Sequence, residues 1–160
     1  MTRRQITVIG PGEATAHEAT LAHAIGAAIA RAGATLITGG RTGVMEAASR
    51  GCREAGGLVV AILPGESTGG ANAYADVRIA TGLGQARNVV NVLSADLVVA
   101  VGGGPGTLSE IAHALKAGVP VLGLESWEIA REGRSPAGYR RCASLAELLE
   151  ALGPGGSSGD

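Results

Sequence analysis

Apolar residues in this chain concentrate in short runs, separated by longer segments in which they recur every three to four positions. The runs are Ile6 to Ile9, Thr35 to Thr38, Leu58 to Leu63, Val77 to Ala80, Leu97 to Val101 and Val119 to Leu124. They are rich in β-branched residues, and most do not alternate with polar ones, which predicts strands covered on both faces. The segments Thr15 to Ala32, Val44 to Ala55, Gln85 to Ser94, Thr107 to Ala117 and Leu145 to Leu152 predict helices. Gly33, Gly56 and Gly118 follow three of them, where a left-handed cap is wanted. Ser144, with Glu147 three residues on, predicts a capping box at the last helix. Strands alternating with helices are the mark of βαβ units. The pattern therefore predicts an α/β, Rossmann-like single domain: a mainly parallel sheet of about six or seven strands with helices on both faces.

The 160 residues suffice for one such domain and are too few for two with separate cores. The expected domain is 1–152, followed by a Gly/Ser-rich flexible tail, 153–160. Hydrophobic residues make up 46%, yet there is no Phe, one Trp and two Tyr, so the core must be built from Ala, Val, Leu and Ile. Such small side chains suit close packing of helix on sheet. Two segments break the alternation, Pro64 to Ala75 and Glu125 to Ala143, and each is either a functional loop or a connector.

Charge narrows the function classes. With 13 basic against 14 acidic residues and no run of either sign, the chain offers no footprint for nucleic acid. Cys52 and Cys142 stand far apart without metal-ligand spacing, and His17, His23 and His113 are likewise scattered, so no metal site is expected. Arg3 and Arg4 are not followed by a signal-length apolar stretch, because Gly10 to Glu13 interrupts it. No run of roughly 20 apolar residues is present for a membrane span. The expectation is a cytoplasmic protein with neither a membrane nor a nucleic-acid partner.

Candidate chemistry concentrates in glycine-rich turns. Gly102, Gly103, Gly104 and Gly106 directly follow the run Leu97 to Val101 and open the helix that contains Thr107 and Glu110. Glycines at a strand-to-helix turn let backbone approach a ligand, and the free N–H groups of the first helical turn attract an anion. A second turn, Gly39, Gly40, Arg41, Thr42 and Gly43, precedes the helix with Met45 near its start. In a parallel sheet both turns lie at the carboxyl edge, where open α/β folds bind ligands. A third, Gly10-Pro11-Gly12, follows the first strand, but Thr15 holds the place of the last glycine in the dinucleotide fingerprint. No Gly-Lys-Ser/Thr triphosphate loop is present.

Glu110 lies three residues after Thr107 and shares its helix face near the helix start. On the segment Gln85 to Ser94, apolar residues cover much of the circumference, yet Arg87, Asn88 and Asn91 sit on it. A buried Arg needs a partner, which is either a ligand phosphate or a carboxylate such as Asp96 or Glu110.

The segment GGGPGTLSE, Gly102 to Glu110, resembles the PGGxGTxxE motif of the LOG (Lonely Guy) family, once labelled lysine decarboxylases. ITGGRTGVMEAASRG is similar to the family's GGxxGLM segment, and GLGQARNVVNVLSAD to its Arg-Lys segment. The resemblance spans most of residues 5 to 124. It implies a Rossmann-like fold, a homo-oligomer (dimer or tetramer) and an AMP-like nucleoside monophosphate ligand, with no required cofactor. It further implies a phosphoribohydrolase that cleaves the N-glycosidic bond of cytokinin-type riboside monophosphates. Arg87 and Glu110 match the catalytic pair, Gly103, Gly104, Gly106 and Thr107 the phosphate loop, and Asn88 and Asn91 stand as supporting residues. Gly102 replaces the motif's first Pro and Asn88 its Lys, which makes the chain similar to the branch of molybdenum cofactor carrier proteins. A non-catalytic nucleotide or cofactor carrier is therefore the alternative. Pyridoxal phosphate is not expected, since the single lysine, Lys116, sits at the end of its helix beside Gly118. Pro64 to Tyr74 and Trp127 are the expected neighbours of the ligand's base end.

Overall fold

The computed structural model describes residues 2–153. Met1 and all of the expected tail beyond Gly153 lie outside the described residues. Strands β1 (Gln5–Ile9), β2 (Thr35–Thr38), β3 (Leu58–Leu63), β4 (Val77–Ala80), β5 (Leu97–Val101), β6 (Val121–Leu124) and β7 (Tyr139–Cys142) form one sheet in the order β4-β3-β2-β1-β5-β6-β7. Every neighbouring pair is parallel. The crossovers carry helices α1 (Ala16–Arg31), α2 (Val44–Glu54), α3 (Arg87–Leu93) and α4 (Pro105–Lys116), and α5 (Leu145–Leu152) follows β7. The α/β, Rossmann-like reading of the sequence is what the chain adopts.

Each central strand divides its side chains between two cores because successive residues point to opposite faces. On β5, Leu97, Val99 and Val101 join Ile6, Val8 and the buried residues of α1, α2 and α5. Val98 and Ala100 face the other way, onto Val92 of α3 and Ile111 and Ala114 of α4. Strands buried on both sides leave no room for polar alternation, so the continuous apolar runs were a faithful signal.

Four differences from the sequence reading have physical causes. Strand β7 lies within the segment taken as irregular, since YRRC carries two arginines that stand exposed at the sheet edge while Tyr139 and Cys142 face inward. Helix α4 begins at Pro105, whose fixed φ and missing N–H suit the first helical position. Thr107 therefore lies inside the first turn instead of opening the helix. Helix α3 is confined to Arg87–Leu93, with a 3₁₀ turn, Gly84–Ala86, before it. At α5 the Ser144 hydroxyl accepts from Glu147 N–H, but the Glu147 carboxylate reaches one residue further back than a capping box requires, to Ala143 N–H. The complete capping box is at α1, between Thr15 and Glu18.

Candidate functional site

The sheet order places the topological switch between β1 and β5: the chain builds outward from β1 to β4, then returns to add β5 on β1's other side. Connections leave the carboxyl ends of these two strands in opposite directions, which opens a crevice between them. There the structure has a cavity of ≈ 330 Å³. Its wall is formed by the ends of β1 and β2, the first turns of α2 and α4, and one side of α3.

At the start of α4, Gly104 is the N-cap and makes no side-chain capping bond. Leu108 N–H closes the first helical turn on the Gly104 carbonyl. Pro105 has no N–H, so Gly106 and Thr107 supply the orphan donors of the first turn. Both residues line the cavity. The glycines of this segment divide into two kinds. Gly102 adopts φ +59°, and a Cβ there would lie 2.2 Å from the Glu18 carboxylate; proline, restricted to negative φ, is excluded. At Gly104 and Gly106 an added Cβ would meet nothing within 4 Å, so no internal packing requires glycine there. Both glycines border the cavity.

Arg87 enters from the first turn of α3 and is 9% exposed. Its guanidinium donates to the carbonyls of Gly39 and, at 2.8 Å, Ile62, the C-terminal ends of β2 and β3. Neither carboxylate considered from the sequence is its hydrogen-bond partner; Asp96 accepts instead from Gln5 N–H. Arg87 Nε is buried without a partner, and so is Asn91 Oδ1, one turn along the same helix. Both residues line the cavity. The other side of Asn91 is fixed through its backbone carbonyl, which accepts from the buried Thr7 hydroxyl at 2.8 Å.

Glu110 faces Arg87 from α4 and is 8% exposed. Burial pushes its carboxyl up to about 7, against the opposing pull of Arg87, and no hydrogen bond steadies the charge. Burial likewise lowers Arg87 from its usual value, while Glu110 raises it and Arg41 lowers it further. Arginine remains charged under such perturbation. The cavity therefore holds a fixed cation and a carboxyl poised between its two forms near neutrality.

Of the residues singled out in the sequence, Gly39, Met45, Arg87, Asn88, Asn91, Gly104, Gly106, Thr107 and Glu110 line this one cavity. Gly40, Arg41, Thr42, Gly43 and Gly103 do not. The Gly40 N–H is held by Thr38 Oγ1, Thr42 donates to the Gly12 carbonyl at 2.8 Å, and Arg41 is exposed with its carbonyl accepting from Asn72. Gly103 closes its turn over the Thr107 side chain. Absent from the sequence reading of the site were Val8, Ile9, Gly10, Pro11, Gly12 and Pro105, all in the lining. The signal was the Gly10-Pro11-Gly12 turn itself, which a dinucleotide fingerprint is too narrow to recognise.

Trp127 and the segment Pro64 to Tyr74 are not in the lining either. Trp127 donates from Nε1 to the Gly104 carbonyl at 3.1 Å, behind the turn. Tyr74 borders a separate cavity of ≈ 200 Å³ with Glu46 and Arg50. Among the described residues, no three His, Cys, Asp or Glu residues gather as a metal site would need, and no helix is long and apolar enough to cross a membrane.

Comparison with known proteins agrees with this architecture. The SLOG cluster4 family model matches residues 3–148. An uncharacterized protein of Archaeoglobus fulgidus is 51% identical over 121 residues, which is 76% of this chain and 80% of that protein. The structure of the molybdenum cofactor binding protein from the phototrophic bacterium Rippkaea orientalis superposes with a TM-score of 0.87 at 41% identity, covering 95% of this chain and 96% of that one. The molybdenum cofactor carrier protein of Chlamydomonas reinhardtii gives 0.83 at 36% identity, over 94% and 96%.

Proposed function

This chain belongs to the SLOG cluster4 family, and on that premise we propose that it binds a phosphorylated, nucleotide-like small molecule in the cavity at the β1–β5 switch point. The observation that carries this reading is the buried, unpartnered Arg87 Nε beside the open first turn of α4. A buried donor without a partner is a cost that a bound acceptor removes. The Gly106 and Thr107 N–H groups and the helix dipole favour a phosphate, with Arg87 as counter-charge. Asn91 Oδ1 offers an acceptor to an N–H or O–H further along the ligand. The cavity volume lies within the range of small-molecule sites.

The ligand class is a nucleoside monophosphate or a pterin carrying a terminal phosphate, the latter because molybdenum cofactor binding and carrier proteins are similar over nearly the whole chain. The donor set suits either, since both present a terminal phosphate together with N–H donors on a heterocycle, the exocyclic amino group in AMP. In the carrier reading the cofactor is cargo. Arg87 and the α4 turn hold its phosphate, and the walls shield it from water. Titration with AMP and with phosphorylated pterin, followed by calorimetry, tests the proposal. Binding that Arg87→Ala weakens at least about tenfold supports it, and no binding of either ligand refutes it.

A second reading, N-glycosidic hydrolysis of riboside monophosphates, is favoured by Glu110 alone. A carboxyl near neutrality beside a buried cation is suited to orienting water and taking its proton as the C1′–N bond breaks. Water then adds its hydroxyl to C1′, and the base departs with the proton that Glu110 took from the water. Release of free base from AMP or cytokinin monophosphates, lost in Glu110→Gln, is the required result; binding without base release leaves the carrier reading.

Self-association belongs to the same proposal. Val77 and Ile79 on edge strand β4, Leu83 before α3 and Leu93 at its end are all more than two-fifths exposed, an apolar set suited to a second copy of the chain. Sedimentation of the native protein should give a dimer or tetramer, and a monomer would remove this part.

A further inference from the structure

We propose that Trp127 is a positioning residue for the anion cradle, fixing the Gly104 carbonyl and with it the aim of the Gly106 and Thr107 N–H groups. The inference rests on the reading of Gly104 to Thr107 as that cradle.

Helices α1 and α5 are capped by their own N-cap side chains, Thr15 and Ser144. At α4 the N-cap is Gly104, which has no side chain and makes no such bond. A ligand's close approach favours glycine here, yet glycine also leaves the turn with the greatest backbone freedom. Two outside constraints replace the missing cap. The ring of Pro105 fixes φ immediately after the turn. Trp127 Nε1 donates to the Gly104 carbonyl at 3.1 Å, the same oxygen that takes the first intrahelical bond from Leu108. The plane of the Gly104–Pro105 peptide is thereby held from both sides, and the N–H groups that follow inherit its direction.

Trp127 is itself held. It packs half-buried against the core under α4, which includes Ile111 and Ala114. Its backbone carbonyl accepts from the Tyr139 hydroxyl at 2.5 Å. Tyr139 is buried on β7, with its hydroxyl filling the space where a side chain on Gly123 would stand. A continuous chain of contacts thus runs from the edge strand through Tyr139 and Trp127 to the cradle. Donors aimed in advance bind an anion without the cost of ordering the turn.

Trp127→Phe keeps an aromatic ring in the core and removes only the indole N–H. In the free variant, amide hydrogen exchange at Leu108, whose N–H closes the turn on the Gly104 carbonyl, should accelerate about tenfold, with the later turns of α4 unchanged. A general loss of stability would accelerate both. The Kd for AMP should rise by about three- to tenfold. Tyr139→Phe, one contact further back, should act in the same direction with a smaller change, and it carries the test if Trp127→Phe does not fold. Because Trp127 is the only tryptophan, its emission in the wild-type protein should shift as AMP fills the cradle. Unchanged exchange at Leu108 in a folded variant overturns the proposal. If wild-type protein binds no AMP, the cradle reading falls, and the exchange result alone still decides whether Trp127 positions the turn.

Discussion

The turn after β2, Gly39 to Gly43, and the turn after β5, Gly102 to Thr107, look alike in sequence: each follows an apolar strand, opens a helix and is rich in glycine. Their surroundings in the fold differ, although Gly39 also borders the cavity. After β2 the glycines answer internal demands. Gly43 adopts φ +67°, with a would-be Cβ only 2.2 Å from the Pro11 carbonyl, and Val44 N–H bonds to that same carbonyl. Thr42 and the Gly40 N–H are also engaged within the protein. After β5, Gly104 and Gly106 face open space and the first-turn donors lack intrahelical partners. Glycine-rich composition alone therefore does not identify a ligand site. What does is a glycine with no neighbour to accommodate, beside polar groups left unpaired.

This contrast is open to attack by substitution. The largest effect is expected from Gly43→Ala, which combines a positive φ with a collision against backbone. Stability should fall by about 3 kcal/mol or more, seen as a drop of roughly 10 °C in melting temperature. A stable Gly43→Ala protein would break the comparison on the β2 side.

Nearly as large is the pH response of Glu110. Its carboxyl titrates at about 7 in the folded chain against an ordinary 4.5. Below pH 4.5 it is protonated in both folded and unfolded states, and its contribution is fully retained. As pH rises through 7 the buried group must ionise, and stability on the order of 3 kcal/mol is lost. Glu110→Gln should flatten that slope in urea midpoints measured from pH 5 to 8. For the same reason, phosphate or AMP affinity in the wild type should weaken above pH 7, where a carboxylate faces the anion. A variant with the wild-type pH profile would show that another group carries the effect.

Gly106→Ala should separate binding from stability. A methyl at this helical position costs nothing internally and gains up to about 1 kcal/mol of helix propensity, so the melting temperature should hold or rise. Anion affinity should nonetheless fall about tenfold by calorimetry, because the methyl occupies the ligand's side of the turn. The smallest change is expected from Thr42→Val, which removes one exposed hydrogen bond. A loss of about 0.5–1 kcal/mol with unaltered affinity would sharpen the contrast. A loss of affinity there would bring Thr42 into the site.

Much of this organisation was legible in the sequence. Six of the seven strands and all five helices announced themselves through short runs rich in apolar residues and through helical periodicity; the central strands read as unbroken runs because they are covered on both faces, whereas β4 is an exposed edge strand interrupted by Arg78. Strand β7 stayed hidden because an edge strand with exposed Arg140 and Arg141 resembles a charged loop. Arg87, Asn91, Thr107 and Glu110 stood out as polar residues on apolar helices, and all four line the cavity. Gly10 to Gly12 was noticed as a turn yet left out of the site, because nothing local reveals that β1 lies at the centre of the sheet beside β5.

By itself, then, the sequence determined the layers, the parallel sheet and the identity of the polar groups with chemical capacity, all properties of local periodicity and residue type. Only the tertiary structure decided which glycines of these turns face the cavity, which carbonyls hold Arg87, and that Trp127 bonds to the Gly104 carbonyl from outside the cavity lining. Those outcomes depend on strand order and on contacts between residues far apart in the chain. The β1–β5 junction, where the direction of winding reverses, brings them together.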